Sequence, residues 1–438
     1  MILQSERNDS FLEGFEHLDK TIALQSTGWL REFRLKNLSR FNEAGFPTLK
    51  DEEWKYLNLE PIISRHYHLT VSTPFTETAA LKTYLNPAET NVVFVNGIFS
   101  ENLSNVRDLP KGVVITTLTE AMTSHRADIE NLLKKYPVAQ ANVFTTLNLA
   151  LTGNGIFIKL TDKAINKKNI HIVHVTSVKE QNIISAPRSV ILIGDSAEAS
   201  VMETHISFSD DAVYFTNALT DILIAQNGIL NYHKAQSESL KAFHIGTTRV
   251  WQEKDSNFNG FSFMVGGSIT RNNLDVILNG EGASTRLNGL YCTNGTQLVD
   301  NHSAVDHREP NGTSNQLYKG ILNGASRAVF NGKIFVKPIA QKTNSYQLNK
   351  NLLLGKEARV DTKPQLEIGA DDVKCTHGAT IGQLNEDEVF YLQSRCIAKS
   401  DAVKMLSKGF VDDIIDTITD ESIHAKLNKL LEPTFAAL

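Results

Sequence analysis

Apolar positions recur at two different periods along this chain, and the changes between them divide it in three. In the first part the spacing is helical. Trp29, Leu30, Phe33, Leu38 and Phe41 fall on one broad stripe, with Arg31, Arg34, Lys36 and Arg40 between them. Residues 1–60 are therefore expected to be mostly helical. Gly45 and Pro47 should stop that helix, and Thr48 followed by Asp51 should start a shorter one through Glu52, Glu53 and Trp54. Trp54 is read as a packing anchor. Farther on, NVVFVNGIF (91–99) reads as a strand and turn, and SHRADIENLLKKYP (124–137) as a helix ended by Pro137.

From about Gly153 to Gly382 the helical period fades, and short β-branched or alternating runs replace it. Several share one form, apolar residues followed by a small or amide residue: ILIGDSAEA (191–199), ILIAQNGI (222–229), VILNGEGA (276–283), ILNGASRA (321–328), LLLGKEAR (352–359) and LEIGADDV (366–373). A β-solenoid needs this form, because each coil contributes short strands and its corners need small or left-handed-tolerant residues. A β-sandwich is the competing architecture. Many short, similar strands with no long hairpins favour the solenoid. The runs are unevenly spaced, so the number of coils cannot be counted.

After Gly382 helices return. Asn385, followed by Glu386, Asp387 and Glu388, gives an N-cap and an acidic first turn. Ser400–Asp401 is expected to cap a second helix carrying Val403, Met405 and Leu406 and closed by Gly409. Phe410, Val411, Ile414, Ile415 and Ile418 continue an apolar stripe, and a last helix runs to Pro433. These helices should cover the open end of the solenoid, and a second apolar face would be a partner surface. The expected organisation is an N-terminal helical and mixed α/β region (1–150), a β-solenoid core (151–382) and a C-terminal helical domain (383–438).

Composition narrows the function. The 438 residues, 41% of them hydrophobic, suffice for a sizeable core. A formal charge of −5 offers no basic face for nucleic acid or anionic membrane. The three cysteines, Cys292, Cys375 and Cys396, are too few and scattered for a disulfide framework, which suggests a reducing compartment. Glu6, Asp9 and Glu13 stand where a signal peptide needs an apolar core. No window approaches the roughly 18 apolar residues of a membrane span. The expected setting is the cytoplasm.

The common catalytic motifs are missing. Gly332–Lys333 is followed by Ile334, and Gly355–Lys356 by Glu357, so neither is a P-loop. G-x-S-x-G and H-E-x-x-H are absent too. The chain is expected neither to hydrolyse ATP nor to be a common hydrolase. The most suggestive pair is Cys375 and His377, two apart on an expected strand, so that both share a face while Thr376 points away. A thiolate and an imidazole there can bind a thiophilic metal. A tetrahedral site takes about four ligands, so the rest must come from elsewhere or the pair is inert. His171 and His174 have opposite strand parity. Glu203 with His205, and His66 with His68, read as solvated pairs, and His302 and His307 as part of a polar loop. Cys292 reads as a small core residue, and Cys396 as packed at a helix end.

Three stretches then carry a family likeness: DNHSAVDHREPNGTSNQLYKGILNGASRAVFNGKIFV (300–336), LLLGKEARVDTKPQLEIGADDVKCTHGATIG (352–382) and FYLQSRCIAKSDAVKMLSKGF (390–410). They resemble the SufB/SufD scaffold family of iron–sulfur cluster assembly. GFPTLKDEEWKYLNL (45–59) and VKCTHGATIG (373–382) are similar to its SufD branch. The resemblance implies a right-handed parallel β-helix flanked by helical domains, acting as a non-catalytic scaffold. It further implies a complex of one SufB-like scaffold, one SufD-like chain and two copies of the SufC-like ABC ATPase. Cys375 and His377 match positions at the SufB–SufD interface where a nascent cluster forms, so iron and sulfide would be transient and shared, with no tightly bound cofactor. Val389, Phe390, Arg395, Val403, Met405, Leu406 and Phe410 fall in the region where the ATPase docks. Cys396 stands where the family usually has glycine. In isolation, a homodimer through the last strands is expected. Two other readings stay open, a purely architectural partner of SufB and a β-helix enzyme acting on polysaccharide. The nearest carboxylates for the latter, Asp371–Asp372, would face opposite ways on a strand.

Overall fold

The computed structural model of the protein describes residues 28–70, 75–136, 142–177 and 181–436. Within them the chain winds as a parallel β-solenoid of about eight turns, flanked by helices before and after it. Each turn gives one strand to each of two sheets, so neighbours in a sheet are alternate strands of the chain. Along one sheet Phe243 stands against Ile269, Ile269 against Leu298, Leu298 against Arg327, and Arg327 against Arg359, all parallel. The offsets between these partners are unequal because the corners differ in length. That is why no repeat could be counted.

The runs singled out above are the corners between strands. In ILIGDSAEA the strand Arg188–Ile193 ends and Glu198–Ser207 begins, with Ser196 between them at φ 54°. Asn227, Gly282 and Gly324 turn other corners at φ 54°, 71° and 66°. These are the residue types that enter the left-handed region at least cost. The sheets also take in Thr90–Val95 and Val113–Thr117, upstream of residue 151. NVVFVNGIF forms a hairpin, Thr90–Val95 against Ile98–Phe99, turning through Asn96 and Gly97 at positive φ.

Strand alternation sends one set of side chains inward and the other outward. The inward set, including Phe94, Ile172, Val201, Ile222, Tyr232, Val250 and Leu274, meets between the sheets. The outward faces are covered by the flanking segments. On one side Trp54, Phe46 and Phe144 pack against Phe215, Phe243 and Ile269. Trp54 is the anchor expected, with the Arg271 guanidinium 3.9 Å over its ring. The N-terminal helix runs Gly28–Ala44 and ends before Gly45; residues 1–27 and Pro137 lie outside the described residues. The expected short helix at Thr48 is instead a chain of turns, with Thr48 and Asp51 bonded side chain to side chain at 3.0 Å. The stretch 124–137 holds the helix Arg126–Lys135, preceded by a separate helix, Leu118–Ser124.

The C-terminal helices are placed differently from expectation. Lys399–Ile415 and Glu421–Ala436 lie along the outer flank of the second sheet. There Val411, Ile414, Ile415, Ile423 and Leu427 bury against Met202, Phe261, Leu290 and Cys292. Burial of each such side chain stabilises by about 1.5–3 kcal/mol, and this sheet's outward apolar row gives the helices their seat. Among the described residues no segment covers the end of the solenoid. Gly409 does not close a helix, because the helix continues to Ile415, and its N-cap is Ala398 rather than Ser400. Asn385 caps Glu386–Ser394 as expected, its side chain accepting from the Asp387 amide. Among the described residues no helix is long and apolar enough to cross a membrane.

Candidate ligand pair at the open end of the solenoid

The last strand of the second sheet is Lys374–Gly382, paired on one side only, with Asn344–Leu353. Arg359–Ile368 is the corresponding last strand of the first sheet. Both therefore present an unpaired ladder edge to solvent. Cys375 stands opposite Ser345, and His377 opposite Gln347. Ser345 and Gln347 are buried inside the coil beneath, so the pair takes the inward parity at the point where the coil has no further lid.

Their environments differ. Cys375 is half-buried, against Ile334, Val336 and Val373, and burial pushes its thiol up despite an amide contact from Ser345. It is therefore mostly protonated near neutral pH, and a metal must displace the proton to bind the sulfur. His377 is exposed. Below it a polar row continues inward: the Gln347 amide donates to Gln316 at 2.8 Å, and the Ser303 hydroxyl lies 3.2 Å from the same oxygen. The Gln347 Oε1 has no hydrogen-bond partner. Among the described residues no third His, Cys, Asp or Glu joins Cys375 and His377 in a ligand group. The two-ligand deficit seen in the sequence persists in three dimensions. A mouth of about 790 Å³ opens at this end, lined by residues including Arg327, Arg359, Asp361 and Ile381.

The seven partner-facing candidates of the C-terminal helices are not equivalently placed. Phe390 is 70% exposed and Met405 53% exposed, and Arg395 is exposed over the Tyr391 ring. Val403 and Leu406 are partly covered. Phe410 packs on the sheet flank with the Lys319 ammonium 4.5 Å from its ring, and Val389 is buried. Cys396 is an exposed free thiol held at φ 64°, a left-handed conformation that glycine would take without strain.

Several weaker candidates need correction. Glu203 and His205 are not solvated: both are about 1% exposed, inside the solenoid, and His174 joins them. Strand parity was right that two residues share a face, but parity cannot say which face is inside. His171, on the outward parity, lies under Lys426 of the last helix. His302 and His307 belong to the strand Leu298–His307 rather than to a loop, and His307 is fully buried. Cys292 is the core residue expected, its thiol pushed up to about 12 by burial. His66 and His68 are exposed. Asp371 and Asp372 sit exposed at a corner after Arg359–Ile368, not on a strand.

Comparison with known proteins agrees with this architecture along almost the whole chain. Residues 174–410 match the SufBD core domain of the SUF system for FeS cluster assembly, and residues 5–172 match the SufBD protein N-terminal region. An iron–sulfur cluster assembly SufBD family protein of Synechocystis is 33% identical, the match covering 87% of this chain and 86% of that one. The iron–sulfur cluster assembly protein SufD of Escherichia coli is 32% identical over 89% of each chain. The chloroplastic protein ABCI7 of Arabidopsis thaliana is 28% identical over 96% of this chain and 90% of its own. Together with the uncapped parallel solenoid, these matches show that the chain belongs to the SufBD family of iron–sulfur cluster assembly proteins.

Proposed function

We propose that the chain works as a non-catalytic scaffold, supplying Cys375 and His377 as ligands for iron or sulfide at a junction with a second, SufB-like scaffold. The observation that carries this reading is the incomplete ligand pair on the last strand, whose outer edge is unpaired. A thiol and an imidazole at an open ladder edge have half the ligands a cluster iron needs, and the edge beside them can receive another chain's strand. Iron and sulfide are then cargo, held across the junction and released, and not a resident cofactor. The SufC-like ATPase, in two copies per complex, would dock on Glu386–Ser394 and the exposed side of Lys399–Ile415, where Phe390 and Met405 lie. Hydrolysis there would supply the work of opening the junction, since this chain has no P-loop.

The test is reconstitution with both partners under anaerobic conditions. With His377→Ala, the complex should still assemble and hydrolyse ATP but form less cluster. Cluster formation equal to the parent's would leave only an architectural role for this end. Docking is tested separately with Met405→Glu, which changes an exposed residue without touching the core; undiminished ATPase binding would remove that part of the proposal. Phe410 serves less well, because its contacts with Lys319 belong to the fold of this chain itself.

A further inference from the structure

The first turns of the solenoid enclose a polar layer in what is otherwise an apolar interior. His174 and His205 face each other across neighbouring strands, with rings stacked and centroids 4.6 Å apart. Phe94 closes the other face of His174 at 4.9 Å. Glu203 Oε1 stands 3.2 Å from Nε2 of His205 and 3.5 Å from Nε2 of His174. Its other oxygen accepts from Tyr232 at 2.7 Å and Thr220 at 2.9 Å. The ligand atoms of His174, Glu203 and His205 all lie within 4.8 Å of one another, and among the described residues no other group of three potential ligands is so arranged.

This layer is poorly satisfied for its depth. Neither ring nitrogen of His174 has a hydrogen-bond partner, nor does Nδ1 of His205, Nε2 of His244 or the amine of Lys234. Buried polar atoms are nearly always paired. His244, edge-on to His205 at 4.8 Å, donates from Nδ1 to the Glu238 carboxylate over 2.7 Å, the carboxylate–imidazole arrangement that orients a metal-binding histidine. The Glu238 carboxylate also accepts from Thr216 at 2.8 Å, and the buried amine of Lys234 lies in the same layer as the Glu203 and Glu238 carboxylates.

We propose that His174, Glu203 and His205 bind one divalent transition-metal ion of the imidazole-preferring class, such as zinc or iron(II), inside the solenoid. Two imidazoles and a carboxylate are a donor set for such ions, with bonds of about 2.0–2.2 Å. The ion would satisfy orphaned ring nitrogens from within the layer. It would tie the strands Ile170–Thr176 and Glu198–Ser207 from within. This site is separate from Cys375 and His377, which lie at the far end of the solenoid, and does not depend on their role.

The experiment uses the full chain, free of any metal-binding tag, with Cys375→Ser and His377→Ala introduced to silence the open end. Because the layer is enclosed, the ion must enter during folding. Cells are grown with added zinc, cobalt or, anaerobically, iron(II), and the purified protein is dialysed against chelator before metal analysis. About one ion per chain should remain, falling by about tenfold or more in His205→Gln. The cobalt form should absorb in the visible as a nitrogen- and oxygen-ligated ion. Folded protein that retains none of the three metals overturns the proposal, as does retained metal indifferent to His205→Gln. Should that variant not fold, X-ray absorption of the zinc-loaded parent decides the matter. About two imidazoles and no sulfur are expected, and a sulfur ligand, or a shell without imidazole, overturns it.

Discussion

Asp221 accepts from two arginines at once, Arg188 at Oδ2 over 2.9 Å and Arg249 at Oδ1 over 2.7 Å. The aspartate and Arg188 are wholly buried where the helix Val143–Ala150 crosses the first sheet, and Arg249 is nearly so, its guanidinium 4.3 Å over the Tyr136 ring. Asn148 and Asn217 complete the joint, bonding across it to backbone carbonyls. The ion pairs tie three neighbouring strands of the sheet, and the amide bonds and the Arg249–Tyr136 contact fasten the flanking segment over them in addition to its apolar face. Asp221→Ala would strand two buried guanidiniums, so a loss of about 3–5 kcal/mol is expected. Urea unfolding should show it as a lower midpoint, and a midpoint unchanged from the parent would mean that water replaces the aspartate.

A second joint should respond to acid. The Glu53 carboxyl is held at about 2, chiefly by His302, with Lys333 adding to it and partial burial opposing. A carboxyl lowered from the ordinary 4.5 stabilises the folded state above that value and loses its contribution as pH falls from 4.5 toward 2. Glu53 also holds the turn that carries Trp54, so this docking should loosen across the same window. In a variant with Trp29→Phe and Trp251→Phe, the emission of Trp54 should shift to the red between those limits. Glu53→Gln should remove most of that pH dependence, whereas an unaltered curve would assign it to buried carboxylates such as Glu238.

The three thiols should alkylate in a fixed order under native conditions. Cys396 is exposed and should react first. Cys375 is half-buried with its thiol raised, so it should follow more slowly. Cys292 is enclosed, with its thiol raised to about 12, and should react only on unfolding. Mass spectrometry of timed iodoacetamide samples reads this order directly. Anaerobic iron(II) should slow Cys375 without changing Cys396, and equal rates with and without iron would count against ligation by the sulfur.

Cys396 also carries a conformational cost. A non-glycine residue at φ 64° is strained by about 1 kcal/mol relative to glycine, partly offset by the extra freedom glycine has when unfolded. Cys396→Gly should therefore raise the unfolding midpoint of the C-terminal helices slightly, or leave it unchanged. A clear fall would show that the side chain makes a contact worth more than the strain.

The corners of the solenoid were legible in the sequence because their chemistry is local. A left-handed turn selects Ser196, Asn227, Gly282 or Gly324 whatever the rest of the chain does. Helix caps such as Asn385 were legible for the same reason. What could not be read was anything decided by which side of a strand faces inward. Glu203 and His205 satisfy the same period whether solvated or enclosed, and the helices that bury one face of their sheet lie some two hundred residues away in the chain. The same long separation hid the seat of the C-terminal helices, since their apolar stripe fits a sheet flank as well as a solenoid end. That Cys375 and His377 share a face of the last strand was legible because i, i+2 parity is local, and the structure places both there.

The open end should also bind a second copy of the chain when no other partner is present. Lys374–Gly382 and Arg359–Ile368 offer unpaired backbone groups, and Ile381 and Ile368 are 50% and 43% exposed beside them. Edges of this kind are ordinarily blocked by charge, bulges or covering segments, and those that are not tend to pair. A two-fold arrangement would let each copy's last strand meet its counterpart. Light scattering of the isolated chain should thus show mass rising toward twice the monomer's with concentration. Ile381→Lys, which puts a charge on the edge without disturbing the core, should return it to monomer, and a SufB-like partner should compete with self-pairing. A strictly monomeric parent at high concentration would mean that the edge is protected by other means. A dimer unaffected by Ile381→Lys would place the contact elsewhere, the exposed side of Glu386–Ser394 being the next surface to examine.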